Sequence, residues 1–161
     1  MAAIPPARRT ISSIPGLGPV WTAGLIAEIG DIHRFADDGA LAKFGGLVWH
    51  PHESGHFQAD DTALSKAGNA YLRYYLVEAA NSVRLHCAEY RDFYAAKLAQ
   101  SPKHAHKRAL VLTARKLVRL VDALLRAGAL YQPQDRKEGQ TRPHTARPRP
   151  QQRARLAASA S

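Results

Sequence analysis

The chain has 161 residues, 45% of them hydrophobic, which suits one modest domain with a packed core and leaves no room for a second. A formal net charge of +10 favours a polyanionic partner, nucleic acid before an anionic membrane, over the plainer reading of a basic protein with no such partner. One cysteine, Cys87, excludes an intrachain disulfide and a cysteine zinc site, and no apolar stretch approaches the roughly 20 residues of a membrane span. The opening Met1-Ala2-Ala3-Ile4-Pro5-Pro6 is too short and too proline-rich for a signal peptide, so the default location is the cytoplasm.

Residues 1–10 read as a lead-in or linker remnant, 11–131 as the folded part and 132–161 as a tail. The fold class expected is all-α. Pro19 suits the first turn of a helix running to about Ile29, with Gly30 as its stop. Asp37 or Asp38 can cap a short helix through Phe44, ended by Gly45-Gly46. Residues 45–65 read as irregular, with a short extended piece around Leu47–Trp49. Asn69 to about His86 is helical, a further helix covers about Ala88–Gln100, and Ser101-Pro102 breaks the chain. The longest helix runs from about His104 to Ala127, with Gly128 at its end. The tail holds Gln, Arg, Pro, Ala and Ser with almost nothing apolar, so it cannot bury enough surface to fold; its arginines make it either an electrostatic arm or a solvated tail.

In the long helix Leu110, Ala114, Leu117, Val121 and Leu124 recur at helical spacing and predict a buried stripe. Arg108, Arg115, Arg119 and Arg126 share another face, which reads either as a track for a phosphate backbone or as an ordinary solvated face.

Five motifs can carry chemistry. Ile14-Pro15-Gly16-Leu17-Gly18-Pro19 looks like a helix-hairpin-helix loop, in which Gly16 and Gly18 allow close backbone approach and amides at the next helix start face a phosphate; the other reading is a plain helix connector. Ser54-Gly55 places a hydroxyl in a Gly-flanked loop, either a turn residue or a nucleophile that needs a base. His50, His52 and His56 lie close enough in sequence to relay a proton, and they lack a clear fourth ligand for zinc. Asp60-Asp61 reads as helix-capping chemistry ahead of Ser65 rather than as a magnesium site. Lys66, Asn69 and Arg73 open a helix and can hold a phosphate, Arg73 bidentately; the alternative for Arg73 is a salt bridge to Glu78 or Glu53.

Taken in order, Ile14-Pro15-Gly16-Leu17-Gly18, Glu28-Ile29-Gly30-Asp31, Phe44-Gly45-Gly46-Leu47, Ser54-Gly55, Ser65-Lys66-Ala67-Gly68-Asn69 with Leu72-Arg73, and Ala114-Arg115-Lys116-Leu117 resemble the C-terminal domain of insertion-sequence transposases of the IS110, IS116 and IS902 type. The resemblance covers roughly residues 10–133. It implies a guide-RNA-directed recombinase in which a serine, Ser54 here, attacks the DNA backbone and holds a phosphoserine link while strands exchange. It further implies DNA and guide RNA as partners, and a homo-oligomer or a full-length transposase protomer in the active complex. The RuvC-like half of the family, with its acidic magnesium-binding residues, has no counterpart in these residues, so no metal or other cofactor is expected on this chain alone. The expectation is a truncated transposase, inactive alone or lending Ser54 in trans, against the alternative of a non-catalytic binding module that competes with or assists a complete enzyme.

Overall fold

A computed structural model describes residues 6–48, 53–54, 57–58, 67–100 and 104–133. Its elements are α1 (Ala7–Ser12), α2 (Pro19–Ile29), a 3-10 turn (Ile32–Arg34), α3 (Asp38–Phe44), β1 (Glu53–Ser54), β2 (Phe57–Gln58), α4 (Ala70–His86), α5 (Ala88–Ala99) and α6 (Ala105–Ala127). The fold is all-α, with β1 and β2 forming a minimal antiparallel hairpin in which Glu53 pairs with Gln58 and Ser54 with Phe57.

The helix ends follow local chemistry. Pro19 occupies the first turn of α2, where its missing N–H costs nothing, and Gly30 ends that helix at φ +61. Asp37 caps α3 by accepting from the Ala40 amide at 2.7 Å, and Asn69 caps α4 by accepting from Tyr71 and Leu72. Gly128 closes α6 in the left-handed region.

Helices α4 and α6 form the centre. Helix α4 packs against α2, α5 and α6, and α6 also meets α1, α3 and α5. The core joins Leu25 and Ile29 of α2, Leu72, Leu76, Ala79, Ala80 and Val83 of α4, and Ala114, Leu117, Val118 and Val121 of α6. A Cβ at Gly24 would lie 2.4 Å from the Tyr75 ring, so where α2 meets α4 any larger residue has to displace that ring.

Three details differ from the sequence reading. Helix α1 begins at Ala7 and Thr10 is buried beside the core residue Ile11, so regular structure starts within the expected lead-in. Leu47 and Val48 carry no strand; the extended pairs are at 53–54 and 57–58, and Trp49 lies outside the described residues. On α6, Ala114, Leu117 and Val121 are fully buried, while Leu110 and Leu124 flank the core, whose face also takes in Ala109, Thr113 and Val118. From residue 134 onward the tail lies outside the described residues.

Candidate nucleic-acid interface

The Ser54 loop leaves and rejoins the helices at one point. At the end of α3, the Gly46 amide donates to the Lys43 carbonyl at 3.0 Å and Leu47 to Ala42 at 2.8 Å, with Gly46 at φ +67. This is a Schellman ending, with buried Leu47 and Ala42 as its apolar pair. The returning strand docks on the same helix end, where the Asn69 amide donates to the Phe44 carbonyl at 2.7 Å. Gly68 makes this crossing possible. Its φ is +124, and a Cβ there would sit 2.5 Å from the Phe44 oxygen and 2.9 Å from the Gly46 nitrogen.

Asn69 serves three elements at once. Its Oδ1 caps α4, its Nδ2 donates to Glu28 Oε2 of α2 at 2.7 Å, and its backbone holds α3. One turn on, Arg73 Nη1 donates to the Gly45 carbonyl at 3.5 Å. The two ends of the loop are thus pinned to three helices. Ser54 lies on β1 within that loop. His50, His52, His56, Asp60, Asp61 and Lys66 fall outside the described residues.

The two glycines of the first motif have different surroundings. The Gly16 carbonyl, on a residue at φ +90, accepts from Ser82 Oγ at 2.6 Å, and a Cβ on Gly16 would lie 2.9 Å from both the Ser82 backbone carbonyl oxygen and His86 Nδ1. It is a packing glycine against α4. Gly18 precedes α2 with nothing within 4 Å of a would-be Cβ, so the open part of this loop is at Gly18.

The arginine face of α6 turns partly inward. Arg115 Nη1 reaches the Asp38 carbonyl at 2.9 Å and its carboxylate at 3.3 Å. Arg126 Nε bridges both Asp122 oxygens at 3.0 Å, and its Nη2 donates to the Phe35 carbonyl at 2.7 Å. The Asp122 hydrogen bond raises the Arg126 pKa further, which favours the charged form. These two side chains tie α6 to the segment that leads into α3. Arg119 stays 72% exposed, with Nε 3.5 Å from Asp38 Oδ2, and Arg108 is exposed near the start of the helix.

Glu28, Gly68 and Arg34 are the contributors that local patterns did not assign. Arg34 donates to the Glu28 carbonyl at 3.4 Å, and its guanidinium stacks on Phe35 and Phe44 at 4.6 and 4.7 Å. Glu28 and Asn69 lie 41 residues apart, so no spacing rule links them. Among the described residues no group of three or more His, Cys, Asp or Glu side chains is placed to hold a metal ion. No helix among the described residues is long and apolar enough to cross a membrane.

The family described as Transposase IS116/IS110/IS902 matches residues 8–95, from α1 through the clamped loop into α5. The chain belongs to this transposase family. Curated relatives agree with that membership. An IS116 insertion-element 44.8 kDa protein of Streptomyces clavuligerus is 32% identical over 123 residues, 76% of this chain and 30% of its own length. The transposase for insertion sequence element IS1111A of Coxiella burnetii is 33% identical over 122 residues, 75% of this chain and 33% of its own. A probable family 20 transposase of Pseudomonas aeruginosa is 30% identical over 125 residues, 75% of this chain and 36% of its own. The chain thus spans about a third of the length of the curated relatives it matches.

Proposed function

We propose that this family member is a serine-bearing transposase domain that binds DNA and a guide RNA through backbone phosphates and supplies Ser54 as the nucleophile of strand exchange. The observation that carries the reading is the clamp at Phe44 and Asn69. A nucleophile on a long loop needs fixed ends to be presented reproducibly, and this loop has them. Family membership and the net charge of +10 support nucleic acid as the partner.

In this mechanism Ser54 Oγ attacks a backbone phosphorus while one of His50, His52 and His56 takes its proton. A serine–phosphate bond forms, one deoxyribose–oxygen bond to phosphorus breaks, and the departing hydroxyl receives a proton. The hydroxyl of the incoming strand then attacks the phosphoserine, which restores Ser54. One phosphodiester replaces another, so no nucleotide triphosphate is required. Lys66 and Arg73 steady the phosphate. Magnesium, which the resemblance assigns to a RuvC-like domain, would supply its charge from there.

A second reading is a binding module without chemistry. It draws on Asn69, Arg115 and Arg126, whose polar groups are engaged within the fold. The two separate on a denaturing gel. Labelled transposon-end junction DNA, guide RNA and magnesium are combined with this chain and a full-length homologue carrying its own serine mutated. A covalent adduct present with wild type and absent with Ser54→Ala supports the nucleophile. Intact binding without any adduct supports the binding module.

A further inference from the structure

A cleft of about 590 Å³ opens between the start of α5, the outer face of α6 and the segment after Gly128. Its size lies in the range of small-ligand sites. We infer that this cleft takes one unpaired nucleotide of a single strand, base inward and phosphate at the mouth. The inference rests on the nucleic-acid reading above and adds a strand type and a place to it.

The chemistry divides along the cleft. Leu120, Leu124 and Leu130 give it an apolar wall, and Tyr131 adds a ring. That ring is fixed in place: the Tyr131 amide donates to Ser13 Oγ at 2.8 Å, and its hydroxyl meets Cys87 Sγ at 3.3 Å. A pre-ordered aromatic wall costs little entropy when a base stacks on it. Lys116 and Arg119 provide two cations in the same lining. Arg119 is 72% exposed and reachable from solvent. Lys116 Nζ is held 2.7 Å from Glu89 Oε1 and stacks on Tyr90 at 4.9 Å, so the ammonium is oriented before any ligand arrives. Glu89 is the acidic residue of the lining, and that contact already engages it. An apolar peptide would use the leucines and bring no anion to Arg119, whose pairing with Asp38 at 3.5 Å leaves it 72% exposed. A duplex would use the cations and leave the apolar wall empty, because its bases are stacked inside. An unpaired nucleotide matches both ends.

The test compares a labelled 12-nucleotide single strand with the same sequence as duplex, by fluorescence anisotropy on the full chain. Leu130→Trp, at a position 41% exposed, fills the cleft without entering the core. It should weaken the single strand about tenfold and leave the duplex within about twofold, the loss expected for one stacked base. Arg119→Gln should weaken both, since its charge serves any phosphate. A second cleft-filling change, Ala129→Phe, guards against a local effect of the tryptophan, and a thermal melt of each variant checks folding. Equal loss on both substrates, or no loss on either, in the two folded cleft variants would overturn the inference. Absence of wild-type binding to both substrates would instead overturn the nucleic-acid reading itself.

Discussion

Asn69 Nδ2 donates to Glu28 Oε2 at 2.7 Å and so joins the cap of α4 to the last turns of α2. The same asparagine accepts from two amides through Oδ1. Donor and acceptor ends therefore do different work, and substitutions can separate them. Asn69→Asp keeps the capping oxygen but sets two carboxylates against each other. It should cost about 2 kcal/mol, more than Asn69→Ser, which loses mainly the contact to Glu28. Adding Glu28→Gln to Asn69→Asp restores a donor and should recover about half of that loss. A urea-melt double-mutant cycle reads the coupling directly.

Gly68→Ala should open the clamp. The added Cβ meets the Phe44 oxygen and Gly46 nitrogen in a backbone conformation alanine avoids. The expected cost is about 2–4 kcal/mol by chemical denaturation. Faster proteolysis within residues 49–66 should accompany it, measured by timed digestion and mass spectrometry. A variant as stable and as resistant as wild type would show that the two ends of the loop are held by something else.

The glycines of the first motif should behave oppositely. Gly16→Ala forces contact with α4 at a positive φ and should lower stability by about 1–3 kcal/mol. Gly18→Ala meets nothing and should leave the melting curve within about 0.5 kcal/mol of wild type. If amides near Gly18 approach a phosphate, Gly18→Ala will still weaken DNA binding, which a filter-binding titration detects.

On α6 the arginines should sort into two kinds. Arg126→Gln strands the mostly buried Asp122 and removes the bond to Phe35, so it should lower the urea midpoint clearly, and by more than Arg119→Gln does. Arg119→Gln should barely change stability, because its ion pair is exposed, yet reduce the salt dependence of DNA binding by about one unit of slope. Melts and salt titrations of both variants check the division.

Stability should fall at alkaline pH through two tyrosines. Burial, with smaller contributions from Glu89 and Cys87, pushes the Tyr90 hydroxyl far above its usual range. Burial and the bond to Cys87 push Tyr131 up to about 12. In both cases the unfolded chain releases its proton first, so stability is fully present below the unfolded value near 10 and declines as pH rises through that window. Tyr90→Phe and Tyr131→Phe together should flatten the decline between about pH 10 and 12 in urea melts, measured against wild type.

The all-α class, the span of α2, a cap for α3 at Asp37 or Asp38, the start of α4 near Asn69 and the Gly128 stop were legible in the residues themselves, because each depends on partners within a few positions; that Asn69 itself is the cap was shown by the structure. The order of motifs likewise pointed to the transposase family that residues 8–95 match. Tertiary structure decided how the polar residues are used. The arginines of α6 shared a face by periodicity alone, but the neighbourhood of Asp38, Asp122 and the Phe35 carbonyl divides them into fold-building and exposed groups. Gly16 and Gly18 looked alike in sequence and differ only because α4 passes beside one of them. The pairing of Glu28 with Asn69 spans 41 residues, a distance over which local propensity is silent and only the packed helices bring the groups together.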